Sequence, residues 1–243
     1  MCKPSTRWIY GDPGFRGFLR TRGIEDLASL SSPSLGAYVT GHRSSWVRRL
    51  ADEADVYYIK TYDYPTWKSR YRGVGRNTFL AVSRPHREQR ALTWLAENGF
   101  EAPRVRAVVE SRVLGIGVGG TLLGGCLVRG VLVTDAWPGV PLSTLLPEID
   151  PNGQVAVLES LREFVSRLHA AGFRDGNLDL RNILAREHDG TGWRFAKIDS
   201  PRFRLVRGRS QDDALASRDW QRLERDLATI GLALPGSTTD RAT

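Results

Sequence analysis

Lys60 closes the β-rich run Tyr57-Tyr58-Ile59-Lys60, and Glu88 stands 28 residues further on, at the head of a segment with helical periodicity. A strand lysine with a carboxylate to orient it suits the charge of a nucleotide's α- and β-phosphates. Farther along, Asp175-Gly176-Asn177-Leu178-Asp179-Leu180-Arg181-Asn182 gathers two more carboxylates beside two amides, and Asp199 follows Asn182 by 17 residues at the end of the strand-like run Phe195 to Ile198. An amide oxygen and a carboxylate oxygen are the hard donors that magnesium takes alongside phosphate. Each piece alone is weak, because a strand lysine is most often a solvated edge residue. Their order along the chain is what makes the set specific.

Such residues need elements to hold them. Tyr38–Thr40, Trp46–Leu50 and Val56–Tyr62 read as three antiparallel strands, separated by Gly41-His42-Arg43-Ser44-Ser45 and by the acidic turn 52–55. Glu88–Asn98 reads as a helix with Ala91, Leu92 and Leu95 inward and Gly99 as its stop, and strands are expected around Val105–Val109 and Val131–Thr134. The 16 uncharged residues from Val113 to Val128 include six glycines. They are too few for a membrane span, which needs about 18, and are expected as two strands around a turn. Asp150-Pro151 supplies an N-cap and a first-turn proline for a helix whose stripe is Val157, Leu158, Leu161, Phe164, Val165 and Leu168, ending at Gly172. A strand pair, Asn182–Ala185 with Phe195–Ile198, and a last helix near Arg218–Ile230 follow. The first 40 residues, with Trp8, Tyr10, Phe15 and Phe18, read as loop-rich.

Taken in order, a strand lysine, a helix glutamate, a loop asparagine and a strand-end aspartate are the parts of a protein kinase. On Tyr57–Tyr62, Arg87–Leu92 with Leu95 and Gly99, Ala102-Pro103, Leu132–Ala136, Leu168–Gly172 and Ile198-Asp199, the chain resembles the lipopolysaccharide kinase (Kdo/WaaP) family of the protein-kinase-like superfamily, over about Tyr38 to Leu205. The absence of an A-P-E motif, with 44 residues after Asp199, is similar to that family too. The resemblance implies an α+β, two-lobed protein-kinase-like fold without a long activation segment: an N-terminal extension (1–37) packed on an N-lobe (38–137) of antiparallel sheet plus one helix, and a mostly helical C-lobe (138–243). It implies ATP and Mg2+ as cofactors, and a sugar hydroxyl of the lipopolysaccharide inner core, Kdo or heptose, as acceptor. Lys60 and Glu88 would serve the phosphates, Asn182 and Asp199 the metal, Thr134, Asp135 and Ala136 the adenine, and the loop with Gly41, Ser44 and Ser45 would cover the phosphates.

Two departures stand out. The phosphate loop has one glycine where protein kinases have three, so contact would lean on backbone amides, hydroxyls or Arg43. Gly115-Ile116-Gly117-Val118-Gly119-Gly120 fits G-x-G-x-x-G, but a poor helix start follows it and it comes after Lys60, so a hairpin turn is expected. The catalytic-loop aspartate falls on Asn177, and an amide cannot accept a substrate proton. Asp179, two positions later, and Asp175, in the place of the loop histidine, flank it. Three readings stay open: Asp179 as relocated base, Asn177 as a positioning group in a slow transfer, or a pseudokinase that binds nucleotide in a regulatory role. A small Ser/Thr protein kinase differs only in acceptor. His169, in Leu-His-x-x-Gly, is expected to make a structural hydrogen bond.

The chain has 243 residues and a net charge of +8, and 31 of its 35 basic residues are arginine. That composition excludes disorder and collagen-like repetition, and points to anionic partners. Between Tyr64 and Arg90 lie seven basic residues, among them Lys68, Arg70, Arg72 and Arg76, against Glu88 alone, with Tyr64, Trp67, Tyr71 and Phe79 interleaved. The segment reads as a contact for a phosphorylated glycolipid or an anionic membrane surface, or as a solvated linker. No nucleic-acid-binding signature is present. Two cysteines without metal-ligand spacing and no signal-like apolar run lead to an expected cytoplasmic protein, peripheral at the inner face of the cytoplasmic membrane.

Overall fold

The computed structural model describes residues 4–52, 55–71, 82–113, 116–118, 121–123, 125–188, 190, 192–206 and 214–235. The chain divides into two units, one of residues 1–93 with 103–136, the other of 94–102 with 137–243.

The first unit is built on a six-stranded antiparallel sheet. Its strands are β1 (Ser5–Gly11), β2 (Ala37–His42), β3 (Ser45–Asp52), β4 (Asp55–Asp63), β5 (Val105–Val113) and, after the short β6 (Ile116–Val118) and β7 (Thr121–Leu123), β8 (Cys126–Asp135). They lie in the order β1-β5-β8-β4-β3-β2. Because side chains alternate across a strand, Tyr57 and Ile59 of β4, Ala107 and Val109 of β5, and Val131 and Val133 of β8 share one face. That face is covered by α1 (Pro13–Thr21) and α2 (Leu27–Leu30), through Phe15, Leu19, Leu27 and Leu30. The intervening residues, Lys60 and Tyr62 among them, belong to the opposite face, where α4 (Arg84–Glu97) lies after the short α3 (Trp67–Tyr71).

Two expectations are corrected here. The N-terminal residues are not loop-rich: β1 pairs with β5, and α1 is capped by Asp12, whose Oδ1 accepts the Phe15 amide at 2.9 Å. The signal was the same Asp-Pro pair that marks the long helix starting at Pro151, followed by apolar residues at 15, 18 and 19. The helix bearing Glu88 also starts earlier, at Arg84, because Ser83 caps it: the Ser83 Oγ accepts the His86 amide at 3.3 Å, and Pro85 fits a first turn. Arg84, Arg87 and Arg90 are therefore helix residues. The glycine segment does form a hairpin in its described part, with β6 paired to β7.

The second unit contains β9 (Val140–Pro141), α5 (Leu142–Leu145), α6 (Pro151–Ala170), β10 (Phe173–Arg174), β11 (Ile183–Glu187), β12 (Trp193–Lys197), β13 (Arg204–Leu205) and α7 (Ala214–Ala228). Asp150 caps α6 through the amides of Asn152 and Gly153. The whole apolar stripe of α6 is buried. It packs on β10 and β12, with Phe164 5.4 Å from Phe195, ring centre to ring centre. β11 pairs with β12 on one side and β9 on the other. Asn182 lies in a 3-10 turn, Leu180–Asn182, just before β11.

Candidate active site

In the first unit Lys60 leaves β4 beside Tyr62, and its Nζ donates to both oxygens of Glu88 at 3.0 Å. The Tyr62 hydroxyl donates to Glu88 Oε2 at 2.5 Å. Tyr62 and Glu88 are buried, while the lysine side chain keeps 17% of its surface. Both oxygens of the acid are thus engaged, and the lysine side chain is only partly buried. The start of α4 is seated by a second buried acid, Glu110 of β5, which accepts the Ser83 hydroxyl and, at 2.9 Å, Arg112 Nε. Pro85 rests on Gly130, where an added Cβ would come within 2.8 Å of its ring. Only glycine at that point of β8 lets the helix approach.

The expected phosphate-covering loop is a tight hairpin turn. Gly41 and Ser45 belong to β2 and β3, and Arg43 and Ser44 form the turn. Gly41 has φ +155°, and a Cβ there would fall 2.5 Å from Trp46 Cα. At the end of β8 the Asp135 amide donates to the Arg104 carbonyl at 2.9 Å and the Ala136 amide to the Val56 carbonyl at 2.7 Å. The Asp135 carboxylate takes Arg106 Nε at 2.6 Å. Both amides are thus committed to backbone carbonyls of the first unit. Lys68 is exposed, whereas Arg70 turns back on the chain, donating to the carbonyls of Tyr64 and Pro65. Arg72 and Arg76 lie outside the described residues.

In the second unit three predicted residues meet. Asn177 Nδ2 donates to the Asp199 carbonyl, and Asn182 Nδ2 to the Asn177 carbonyl, both at 3.3 Å. The Ile198 amide donates to the Asn182 carbonyl at 3.0 Å. Asp199 has φ +53°, a left-handed conformation uncommon outside glycine. With its amide nitrogen spent, Asn182 has its amide oxygen left for a cation. That oxygen and the Asp199 carboxylate form a donor set that fits Mg2+, which completes its shell with water and substrate phosphate. Among the described residues no group of three or more His, Cys, Asp or Glu is placed to hold a metal.

The two flanking carboxylates are deeply buried, each with 1% of its surface exposed. Asp179 Oδ1 accepts the Asn182 amide, and its Oδ2 takes Arg181 and Arg222, each contact at 3.2 Å. Asp175 Oδ2 lies 3.1 Å from Lys197 Nζ. Burial pushes the Asp175 carboxyl up, and the neighbouring Lys197 and Ser200 only partly offset it. Asp219 of α7, which no spacing singled out, fixes the loop from below. Its two oxygens accept the amides of Asp175 and Gly176 at 2.9 Å, and His169 Nε2 lies 3.3 Å from its Oδ2. Tyr62, Lys197 and Arg222 were equally absent from the expected set.

No family model matches the chain, and none of the curated proteins matches it significantly. Among solved structures, WaaP in complex with acyl carrier protein matches at TM-score 0.60 and 16% identity, over 93% of this chain and 83% of that one. The Rio2 kinase-ADP/Mg2+-phosphoaspartate complex from Chaetomium thermophilum matches at 0.54 and 17%, over 93% and 64%. The fold is protein-kinase-like. Identities this low speak for the fold alone. Among the described residues no helix is long and apolar enough to cross a membrane.

Proposed function

We propose that this kinase-like chain transfers the γ-phosphoryl group of ATP to a hydroxyl of a phosphorylated glycolipid, with a sugar of the lipopolysaccharide inner core as acceptor. The observation that carries the reading is the buried Glu88, held by Tyr62 and aimed at Lys60 through both oxygens. An ammonium so oriented meets phosphate charge without reorganising. Lys60 takes that role, Asn182 and Asp199 hold magnesium, Thr134, Asp135 and Ala136 meet adenine, and Gly41, Ser44 and Ser45 lie over the phosphates. Bound magnesium supplies neutralisation of the phosphate oxygens.

Asn177 stands where a carboxylate base would be. Its amide can hold the acceptor hydroxyl in place, and a loose transition state asks for positioning more than for proton removal. The hydroxyl proton then passes to the phosphate or to water as the new O–P bond forms and the bond from the γ-phosphorus to the bridging oxygen breaks, releasing ADP. Asp179 is disfavoured as base, because both its oxygens are engaged and little of it reaches solvent.

Incubation with Mg2+, γ-labelled ATP and lipopolysaccharide fractions tests this. Label is expected on the lipid fraction, lost in Asp199→Ala and Lys60→Met. Transfer that survives Asp199→Ala refutes the metal assignment. Asn177 favours one second reading, a nucleotide-binding regulator: Mg2+-ATP would then raise the melting temperature while no label moves. Label on a protein would instead make the chain a Ser/Thr kinase. Since WaaP is solved with acyl carrier protein, that protein is the first partner to test by co-purification.

A further inference from the structure

Resting on that phosphotransferase reading, we infer that the buried Lys197–Asp175 ion pair is a positioning device that sets the direction of the metal-binding carboxylate of Asp199. Lys197 is fully buried and Asp175 nearly so. A buried pair of this kind is poor evidence for stability, since desolvation of both charges consumes much of their attraction. Its geometry points elsewhere. Lys197 Nζ lies 3.1 Å from Asp175 Oδ2 and donates at 2.5 Å to the carbonyl of Ile198. That carbonyl belongs to the peptide plane joining Ile198 to Asp199, and the tilt of this plane about the Asp199 Cα is the φ angle of Asp199. Asp199 sits at φ +53°. A non-glycine residue keeps a left-handed conformation only where its surroundings over-determine it.

The surroundings here form a closed chain of contacts within one unit. Asp219 holds the amides of Asp175 and Gly176. Asp175 holds the Lys197 ammonium, and Lys197 holds the Ile198 carbonyl. Asn177, two residues after Asp175, donates to the Asp199 carbonyl and so fixes the other side of the same residue. The catalytic loop and the metal strand are thereby coupled through a charge pair that touches neither substrate nor metal. Lys197 and Asp175 are positioning residues, and Asp175 is not a proton acceptor.

The test uses the full chain and a double variant, Asp175→Asn with Lys197→Met, which removes both charges together and leaves no unpaired ion inside. ATP binding is followed by calorimetry with and without Mg2+, beside melting temperature and label transfer. The expected result is a melting temperature at or above that of the unmodified chain and metal-free ATP binding unchanged. The Mg2+ needed for half-maximal effect should rise about 10- to 100-fold, the range for groups that orient metal ligands. A folded double variant with an unchanged Mg2+ requirement overturns the inference. Should the double variant fail to fold, Asp175→Asn alone is read the same way, and an unchanged Mg2+ requirement there overturns it equally. If the unmodified chain shows no Mg2+-dependent ATP binding, the phosphotransferase reading falls and takes this inference with it.

Discussion

A phenol hydroxyl 2.5 Å from Glu88 Oε2 gives that buried carboxylate its third contact, after the two from Lys60. A buried charge left short of donors is costly, so the hydroxyl should matter to the fold as well as to the phosphate lysine. Tyr62→Phe keeps the ring and deletes the hydroxyl that makes this bond. Loss of a hydrogen bond to a charged group costs about 1.5–3 kcal/mol, which denaturant unfolding would read, and ATP binding should weaken with it. An unchanged unfolding midpoint would mean that Lys60 alone satisfies Glu88. Lys60, Glu88, Asn182 and Asp199 were legible because their order along the chain is distinctive. Tyr62 was within reach, since a strand period of two puts it on the face of Lys60. Asp219 was not: it meets the amide of Asp175 across 44 residues, and no spacing rule fixes a contact between a loop and a later helix.

Among the elements, α1 shows how a short helix escapes a reading tuned to long ones. Its nine residues hold only one apolar set, Phe15, Phe18 and Leu19, yet Asp12-Pro13 is the signature that made α6 readable at Asp150-Pro151. The Phe15 amide, followed by Arg106 and Arg104, holds the Asp12 carboxyl below the usual carboxylate range against the opposing effect of burial. Asp12→Ala should cost about 0.5–2 kcal/mol, as N-cap losses do. The pH dependence follows from the sign of the shift. With the folded value depressed, the contribution is complete above the unfolded value of about 3.9 and is lost as pH falls through the lower folded one. Unfolding free energies of the parent and variant should therefore differ by a constant amount from about pH 5 to 8 and converge in stronger acid. A gap that stays open in stronger acid would show that the loss came from packing of Phe15 and Leu19 rather than from the cap.

For the molecule as a whole, the arginine excess has a partly internal use that composition could not reveal. Asp12, Asp63, Glu101, Glu110, Asp135 and Asp179 each receive a guanidinium from their own unit, a task that the planar fork of arginine performs better than lysine. Such pairs cancel in the sum, and a net charge of +8 remains to act on what the chain meets. Exposed charge of one sign attracts an anionic leaflet by about 1 kcal/mol per basic side chain close to the surface, and the attraction fades with salt as the Debye length shrinks. The chain should therefore sediment with vesicles rich in anionic lipid at low ionic strength, release as salt is raised to about 0.3 M, and ignore neutral vesicles. Substituting Lys68, which is exposed, by Glu should lower the salt at which release occurs. Retention on neutral lipid would trace binding to apolar contact, and equal retention on polynucleotide would mark the charge as a general affinity for phosphate; either result removes a charge-selected anionic leaflet from the account of the acceptor.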